Sequence, residues 1–416
     1  MTTKHVAIFV FPGYGHVNPT LEFSRMLISQ GHRVTYVLDE RLAGPVEAAG
    51  ARMVGYSSRR GRLAAGSGTV TGEEIGALGL SFLRESMEVI LPRTVEALDD
   101  DVPDLLLYDL ESFFTARVAA KRWNRGTAQL FPYIATNDHY SLNMEVFSGA
   151  SENLHKCVEL VARYLADEGA EPEAVWPLLA NFDDRNIVLL PRELQPLGET
   201  FDERYTFTGH SLPADRSGTG SWSRPPGDGP VALITLGTEV NDRPEFFATC
   251  GEAFADGGWH LVVTVGPGNL PADGTVAGHV EMHEWLAFNT VLPHVSAVVC
   301  HSGMSTMLEA ISFGKPLVLI TYTPEDRVNG GRITELGLGV EVPGAEATAE
   351  RIRTAVETVA GDPDILRRVA RMRMDMLSAG GPARAARQIE DWLNDPIPTS
   401  GEHMRNTAPP ESAGAR

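Results

Sequence analysis

The chain has 416 residues, with 35 Lys and Arg against 55 Asp and Glu, giving a formal net charge of −20. Hydrophobic residues at 43% and charged ones at 22% exclude a chain disordered throughout, a collagen and a coiled coil, and the length allows two or three domains with real cores. The acidic balance argues against nucleic acid or an anionic membrane as partner, because both are held by clustered Lys and Arg.

Three cysteines, Cys157, Cys250 and Cys300, are scattered without metal-ligand or disulfide spacing, so a reduced, cytoplasmic setting is expected. The apolar run at 6–11 is short and ends at Pro12-Gly13 without the basic leader or cleavage site of a signal peptide. Nowhere do about 18 apolar residues run together, so no membrane span is expected.

In chain order, 6–11 reads as a buried strand, Gly13-Tyr14-Gly15-His16 as a turn, and Asn18-Pro19 as an N-cap followed by proline at the first helical position. The helix is expected to end near Gly31 and a strand to follow at 33–38. This makes a βαβ unit and implies a parallel sheet. Further strands are predicted at 105–108, 128–131 and 187–190, with less regular, partly helical stretches at 61–100 and 133–180. Ser, Gly and Pro dominate a predicted linker at 211–229. Beyond it a second βα series is predicted, with strands at 231–236, 261–265, 280–282, 297–300, 317–320 and 340–342. Helices at 348–360, 363–378 and 382–394 close the fold, and the tail from Pro396 is expected to be disordered. The reading is α/β with domains at 1–210 and 230–380, a C-terminal helix at 381–395 and a tail at 396–416.

Turns at the C-terminal edge of parallel strands are where α/β folds bind ligands. In the first, Gly13 and Gly15 let a ligand approach the backbone, and His16 is either a general base or a plain cap of the turn. As a dinucleotide fingerprint the turn is poor, because Asn18 stands at the third glycine position, so an NAD(P)-dependent oxidoreductase is only a remote alternative. The second turn, His301-Ser302-Gly303-Met304-Ser305-Thr306, offers helix N–H groups, hydroxyls and an imidazole suited to a diphosphate. Glu309 lies one helical turn from Ser305, placed to accept ribose hydroxyls; the plain alternative is an ordinary capped helix. Gly314-Lys315-Pro316 does not make a Walker loop.

Together these residues resemble, over nearly the whole chain, the inverting glycosyltransferases of the GT-B fold, closest to the bacterial macrolide glycosyltransferase branch. The resemblance is carried by Phe11-Pro12-Gly13-Tyr14-Gly15-His16-Val17-Asn18-Pro19, Pro103-Asp104-Leu105-Leu106-Leu107-Tyr108-Asp109, Leu236-Gly237-Thr238 and 285–329. It implies two Rossmann-like domains with parallel sheets facing across a cleft, acceptor on the first and nucleotide sugar on the second, with the C-terminal helix crossing back. His16 matches the base that deprotonates the acceptor hydroxyl, and Asp109 the carboxylate that orients it. On the donor side Trp285 is similar to the base-stacking residue, His301 and Thr306 to phosphate contacts, and Glu309 to the ribose contact. Thr238 and Asn329 match positions near the diphosphate and sugar, and Ser302, Gly303 and Ser305 share their turn. Duller roles stay open: Trp285 as core, Thr238 as a helix cap, Asn329 as a surface residue.

Two departures bear on the donor. Trp285-Leu286-Ala287-Phe288 replaces the common Trp-x-Pro-Gln, leaving uracil and thymine both open. Glu325-Asp326 replaces the Asp-Gln that contacts sugar hydroxyls in glucose-using relatives, and ionised carboxylates only accept hydrogen bonds. Thr306 stands where serine is commoner. The resemblance implies transfer of a hexose, UDP-glucose first, from a nucleoside diphosphate to a hydroxyl of an apolar natural product such as a macrolide. Protein groups would stabilise the leaving diphosphate, so no metal and no further cofactor is expected. A dTDP-deoxysugar donor and a non-catalytic nucleotide-sugar-binding partner are the alternatives. Phe82, Met87, Phe131, Tyr140 and Met144 are candidate acceptor contacts, and the protein is expected as a monomer or homodimer.

Overall fold

The structure, a computed structural model, describes residues 2–59, 70–146, 151–211, 222–224, 227, 229–238, 240–271 and 278–395. Most of the expected linker and all of the expected tail lie outside the described residues, as do 61–69 of the stretch at 61–100.

The first half builds a seven-stranded sheet from β1 (His5–Phe9), β2 (Arg33–Asp39), β3 (Arg52–Tyr56), β4 (Leu105–Tyr108), β5 (Gly126–Phe131), β6 (Asn186–Val188) and β7 (Tyr205–Phe207). Its order is β3-β2-β1-β4-β5-β6-β7, and every pairing is parallel. The second half builds a six-stranded sheet from β8 (Val231–Thr235), β9 (His260–Thr264), β10 (Val280–His283), β11 (Ala297–Cys300), β12 (Leu317–Thr321) and β13 (Gly339–Pro343). Its order is β10-β9-β8-β11-β12-β13, again all parallel. Central strands such as β1 and β8 are buried at every residue, which is why they read as continuous apolar runs. Two doubly wound α/β units thus give the chain the GT-B architecture.

The first helix spans Tyr14–Ser29 and starts earlier than Asn18-Pro19 suggests. The Gly13 carbonyl accepts both the His16 and the Val17 N–H at 3.0 Å, so the glycine turn is itself the first helical turn. Pro19 falls inside the helix, where its missing N–H removes one helical hydrogen bond. His16 therefore rides on the first turn of a helix rather than on a free loop. At the other end Gly31 takes a φ of 93°, the left-handed conformation that stops a helix.

The helix Gly381–Asn394 packs on the first sheet, not the second. Its Ala385, Ala386, Ile389, Trp392 and Leu393 share one buried cluster with Ile8, Val17, Leu21 and Leu107. Burying Ile389 or Leu393 contributes about 1.5–3 kcal/mol each. Gly381 N–H donates to the Thr208 carbonyl, and the Arg185 guanidinium lies over the Trp392 ring. The halves also meet through the helix Pro324–Glu335, whose Arg332 donates to the carbonyls of Glu193, Leu194 and Gln195 at 2.9–3.2 Å. Among the described residues no helix is long and apolar enough to cross a membrane.

Candidate active site

In each sheet the strand order reverses between two neighbouring strands, β1 and β4 in the first and β8 and β11 in the second. Side chains just beyond the ends of such a pair converge on one crevice. In the first sheet Phe9 pairs with Tyr108, so Phe11 and Asp109 emerge side by side, and the Asp109 N–H donates to the Phe9 carbonyl. Asp109 is fully buried. Its Oδ2 accepts the Phe11 N–H at 2.6 Å and bonds His16 Nδ1 at 2.7 Å, while Oδ1 accepts the Ser112 N–H at 3.1 Å. These backbone donors settle the carboxylate before it meets the ring. With Nδ1–H given to Asp109, the Nε2 lone pair is the free basic site of the imidazole.

The His16 side chain keeps 20% exposure. Burial opposes its charged form, but the Asp109 hydrogen bond and the charges of Glu111, Asp109 and Glu325 outweigh it and raise its pKa from 6.5 to about 9. Phe11 and Tyr133 flank the ring with centroids at 5.1 and 5.6 Å. Glu111 stands 3.9 Å from Nδ1 and accepts the Tyr133 hydroxyl hydrogen at 3.0 Å. Burial and the Asp109 charge push its carboxyl up to about 7 against the opposite pull of His16. Ligand atoms of His16, Asp109 and Glu111 lie within 4.8 Å of one another, close enough to hold a cation. The oxygens nearest the ring accept from N–H and O–H donors, which ties the trio into one hydrogen-bonded cluster.

In the second sheet, the turns after β8 and β11 interlock. A Cβ on Gly237 or on Gly303 would overlap the His301 ring, so glycine at both positions lets the imidazole lie flat between the turns. Ser302 adopts a φ of 63°, a conformation that costs a non-glycine residue of order 1–3 kcal/mol. The helix Met304–Ser312 follows with no side-chain cap for its first N–H groups, beside the half-buried Ser305 and Thr306. Glu309 is buried on the same helix. Thr238 is half-buried in a turn well before the helix Pro244–Ala253, so it caps no helix.

Several expected contacts fall elsewhere. Ser302 points inward, and its buried Oγ has no hydrogen-bond partner among the described residues. Asn329 is buried, not on the helix surface; its amide donates to the Ser302 carbonyl at 3.1 Å, and its Oδ1 is likewise unpartnered among the described residues. Asp326 is turned away from the cleft. It closes a capping box with Thr323, its Oδ2 accepting the Tyr322 and Thr323 N–H at 3.1 and 2.9 Å, and burial raises its carboxyl to about 7. Glu325, one residue earlier, remains exposed on the cleft side and acts electrostatically on His16. Trp285 is 41% exposed, so it is not core; its ring meets Tyr14 of the first half at 5.4 Å. Ala287 is buried and Phe288 packs against the core of the second half.

Of the acceptor candidates, Phe82 and Phe131 are 4% and 0% exposed and belong to the core. Phe82 acts at one remove, supporting Phe11 at 5.3 Å. Met87 packs partly buried against the same core. Met144 is 70% exposed on the short helix Leu142–Val146. Tyr140 lines a cavity of about 540 Å³ between the halves, together with Gly72, Glu145, Val146, Pro324, Arg327, Val328 and Gly331. Glu111, Tyr133 and Tyr14 were not singled out by sequence. Glu111 and Tyr133 lie two residues beyond recognised positions, Asp109 and Phe131, and only the turns after β4 and β5 bring them to His16.

Residues 253–392 match the family model described as the C-terminal domain of erythromycin biosynthesis protein CIII-like proteins. The chain is 34% identical to the demethyllactenocin mycarosyltransferase of Streptomyces fradiae over 94% of its own length and 87% of that protein's. It is 33% identical to the NDP-glycosyltransferase YjiC of Bacillus subtilis, over 94% of this chain and 98% of the other. Among solved structures, the calicheamicin glycosyltransferase CalG4 superposes with a TM-score of 0.83 at 36% identity, covering 96% of this chain and all of that one.

Proposed function

The chain belongs to the macrolide glycosyltransferase-like branch of the GT-B glycosyltransferases, sugar-transferring enzymes, and from that premise we propose an inverting transfer in which His16 is the general base. The donor is a nucleoside diphosphate hexose and the acceptor a hydroxyl of an apolar natural product. The observation that carries this reading is the 2.7 Å bond between His16 Nδ1 and a buried Asp109, which frees Nε2 to take a proton at the mouth of the cleft. As the acceptor hydroxyl gives its proton to Nε2, its oxygen bonds the anomeric carbon from the face opposite the diphosphate. The bond from that carbon to the phosphate oxygen breaks, and the configuration inverts. Asp109 stabilises the imidazolium so formed.

The departing diphosphate is received by the open N–H groups at the start of Met304–Ser312, by the Ser305 and Thr306 hydroxyls and by His301, with Thr238 on the neighbouring turn. Trp285 stacks on the base, and Glu309 accepts from the ribose. Protein donors supply the leaving-group stabilisation, so the step runs without a metal. UDP-glucose is the first donor in this reading. A dTDP-deoxysugar is the second, favoured by Asp326: with that carboxylate committed to the helix cap, Glu325 alone of the pair faces the sugar and can only accept hydrogen bonds.

Incubating the protein with a macrolide acceptor and each donor in turn, with and without EDTA, and measuring product mass tests the assignment. One donor is expected to yield glycoside equally in both conditions, and His16→Ala to abolish it. Undiminished transfer by His16→Ala overturns the assigned base, and loss of transfer in EDTA overturns the metal-free step.

A further inference from the structure

Glu111 is the middle residue of the tight turn Leu110–Ser112, and Asp109 caps that turn through the Ser112 N–H. The residue that orients His16 therefore also fixes the backbone that carries a second carboxylate to the same ring. Glu111 is not held by proximity alone. The Tyr133 hydroxyl donates to its Oε2, Tyr133 is 7% exposed, and the Tyr133 ring meets His16 edge-on at 64°. His16 is thus enclosed by Phe11 on one side, Tyr133 on another and two carboxylates at Nδ1.

The ionisable groups facing His16 are Asp109 and Glu111 from the turn after β4, Tyr133 from the segment after β5, and Glu325 from the start of Pro324–Glu335 across the cleft. One carboxylate on Nδ1 is enough to fix an imidazole tautomer, so a second at 3.9 Å adds charge that orientation does not require. We propose that Glu111 is a positioning residue for sugar transfer: its carboxylate, steadied by the Tyr133 hydroxyl, shares with Asp109 the stabilisation of the His16 imidazolium that forms as the acceptor loses its proton. This rests on His16 being the base. It carries a consequence for pH dependence: Asp109, Glu111 and Glu325 together raise the His16 pKa to about 9, so turnover is expected to rise toward alkaline pH.

The test is the pH profile of kcat/KM for the full-length wild type, Glu111→Gln, Glu111→Asp and His16→Ala. Glu111→Gln is expected to move the acid limb down by about half to one pH unit, a three- to tenfold gain at neutral pH relative to its own plateau, while the plateau falls. Glu111→Asp is expected to return the limb toward wild type. A limb that stays in place in Glu111→Gln, with His16→Ala inactive, overturns the proposal and leaves the base assignment standing; an active His16→Ala overturns the base assignment itself. If Glu111→Gln turns over too slowly, NMR titration of the His16 imidazole, assigned by its loss in His16→Ala, reads the same quantity without catalysis. A downward shift supports the proposal and an unshifted titration overturns it.

Discussion

Asp109→Asn probes the proposed dyad with almost no change of shape. The carboxylate accepts three hydrogen bonds, two on Oδ2 from Phe11 N–H and His16 Nδ1–H and one on Oδ1 from Ser112 N–H. An amide has one accepting oxygen and one donating nitrogen. With its oxygen toward Phe11 and His16, the nitrogen opposes only the Ser112 N–H; the reverse orientation opposes two donors, so the first is adopted. One buried donor then goes unpartnered, at a cost of about 1–3 kcal/mol of stability. His16 stays in place but loses the negative charge behind it. General base catalysis is worth typically 10²–10⁴ in rate, so kcat is expected to fall on the order of a thousandfold. The residual acid limb should also move to lower pH, because the hydrogen bond that most raises the His16 pKa loses its ionic partner. Initial rates by mass spectrometry at saturating donor and acceptor across that limb give the activity, and urea unfolding of the same preparation gives the stability. A folded Asp109→Asn protein whose kcat stays within about threefold of wild type would refute the coupling.

The remaining expectations are shorter. His16 has a folded-state pKa of about 9 against 6.5 unfolded, so its stabilisation is complete below about pH 6.5 and is lost as pH rises through about 9. At about 1.4 kcal/mol per unit this amounts to roughly 3 kcal/mol, so the stability difference between wild type and His16→Ala in urea should shrink by that order from mildly acid to alkaline pH. Gly237→Ala places a methyl on a residue at φ 67° and against the His301 ring. It should cost about 1–3 kcal/mol in thermal unfolding and weaken nucleotide binding by calorimetry. Trp285→Ala removes an exposed ring, so the melting temperature should hold while nucleoside diphosphate affinity falls roughly tenfold, the scale of one aromatic–base stack.

What could be read in one dimension follows from burial. Strands central to each sheet are covered on both faces and leave unbroken apolar runs, so β1, β4, β8, β11 and β12 were all visible. The two strands that were not, β3 and β7, are the edges of the first sheet. One carries Arg52 and Gly55 within five residues, and the other is only three residues long. Asn18-Pro19 misled for a different reason. The pair has the chemistry of a helix start, but the Gly13 carbonyl had already closed the first turn, and a proline one turn inside costs a single hydrogen bond.

The site divides along the same line. His16 and Asp109 stand out as residue types in recognisable turns, yet their 93-residue separation becomes 2.7 Å only because β1 and β4 are neighbours at the point where strand order reverses. Asp326 shows the opposite case: its position beside Glu325 suggests a shared role, but a residue three places into a helix that begins with Thr323 can satisfy two backbone N–H groups by turning inward, and it does. Composition cannot distinguish an acid that caps a helix from one that faces a sugar. In the donor placement proposed above, the sugar then meets one carboxylate where the order of residues suggested two, and that carboxylate, Glu325, also acts electrostatically on His16. Under that placement donor choice and base strength would be coupled through Glu325: a sugar hydroxyl donating to it is expected to draw off part of the charge that raises the His16 pKa, and so to help free the base.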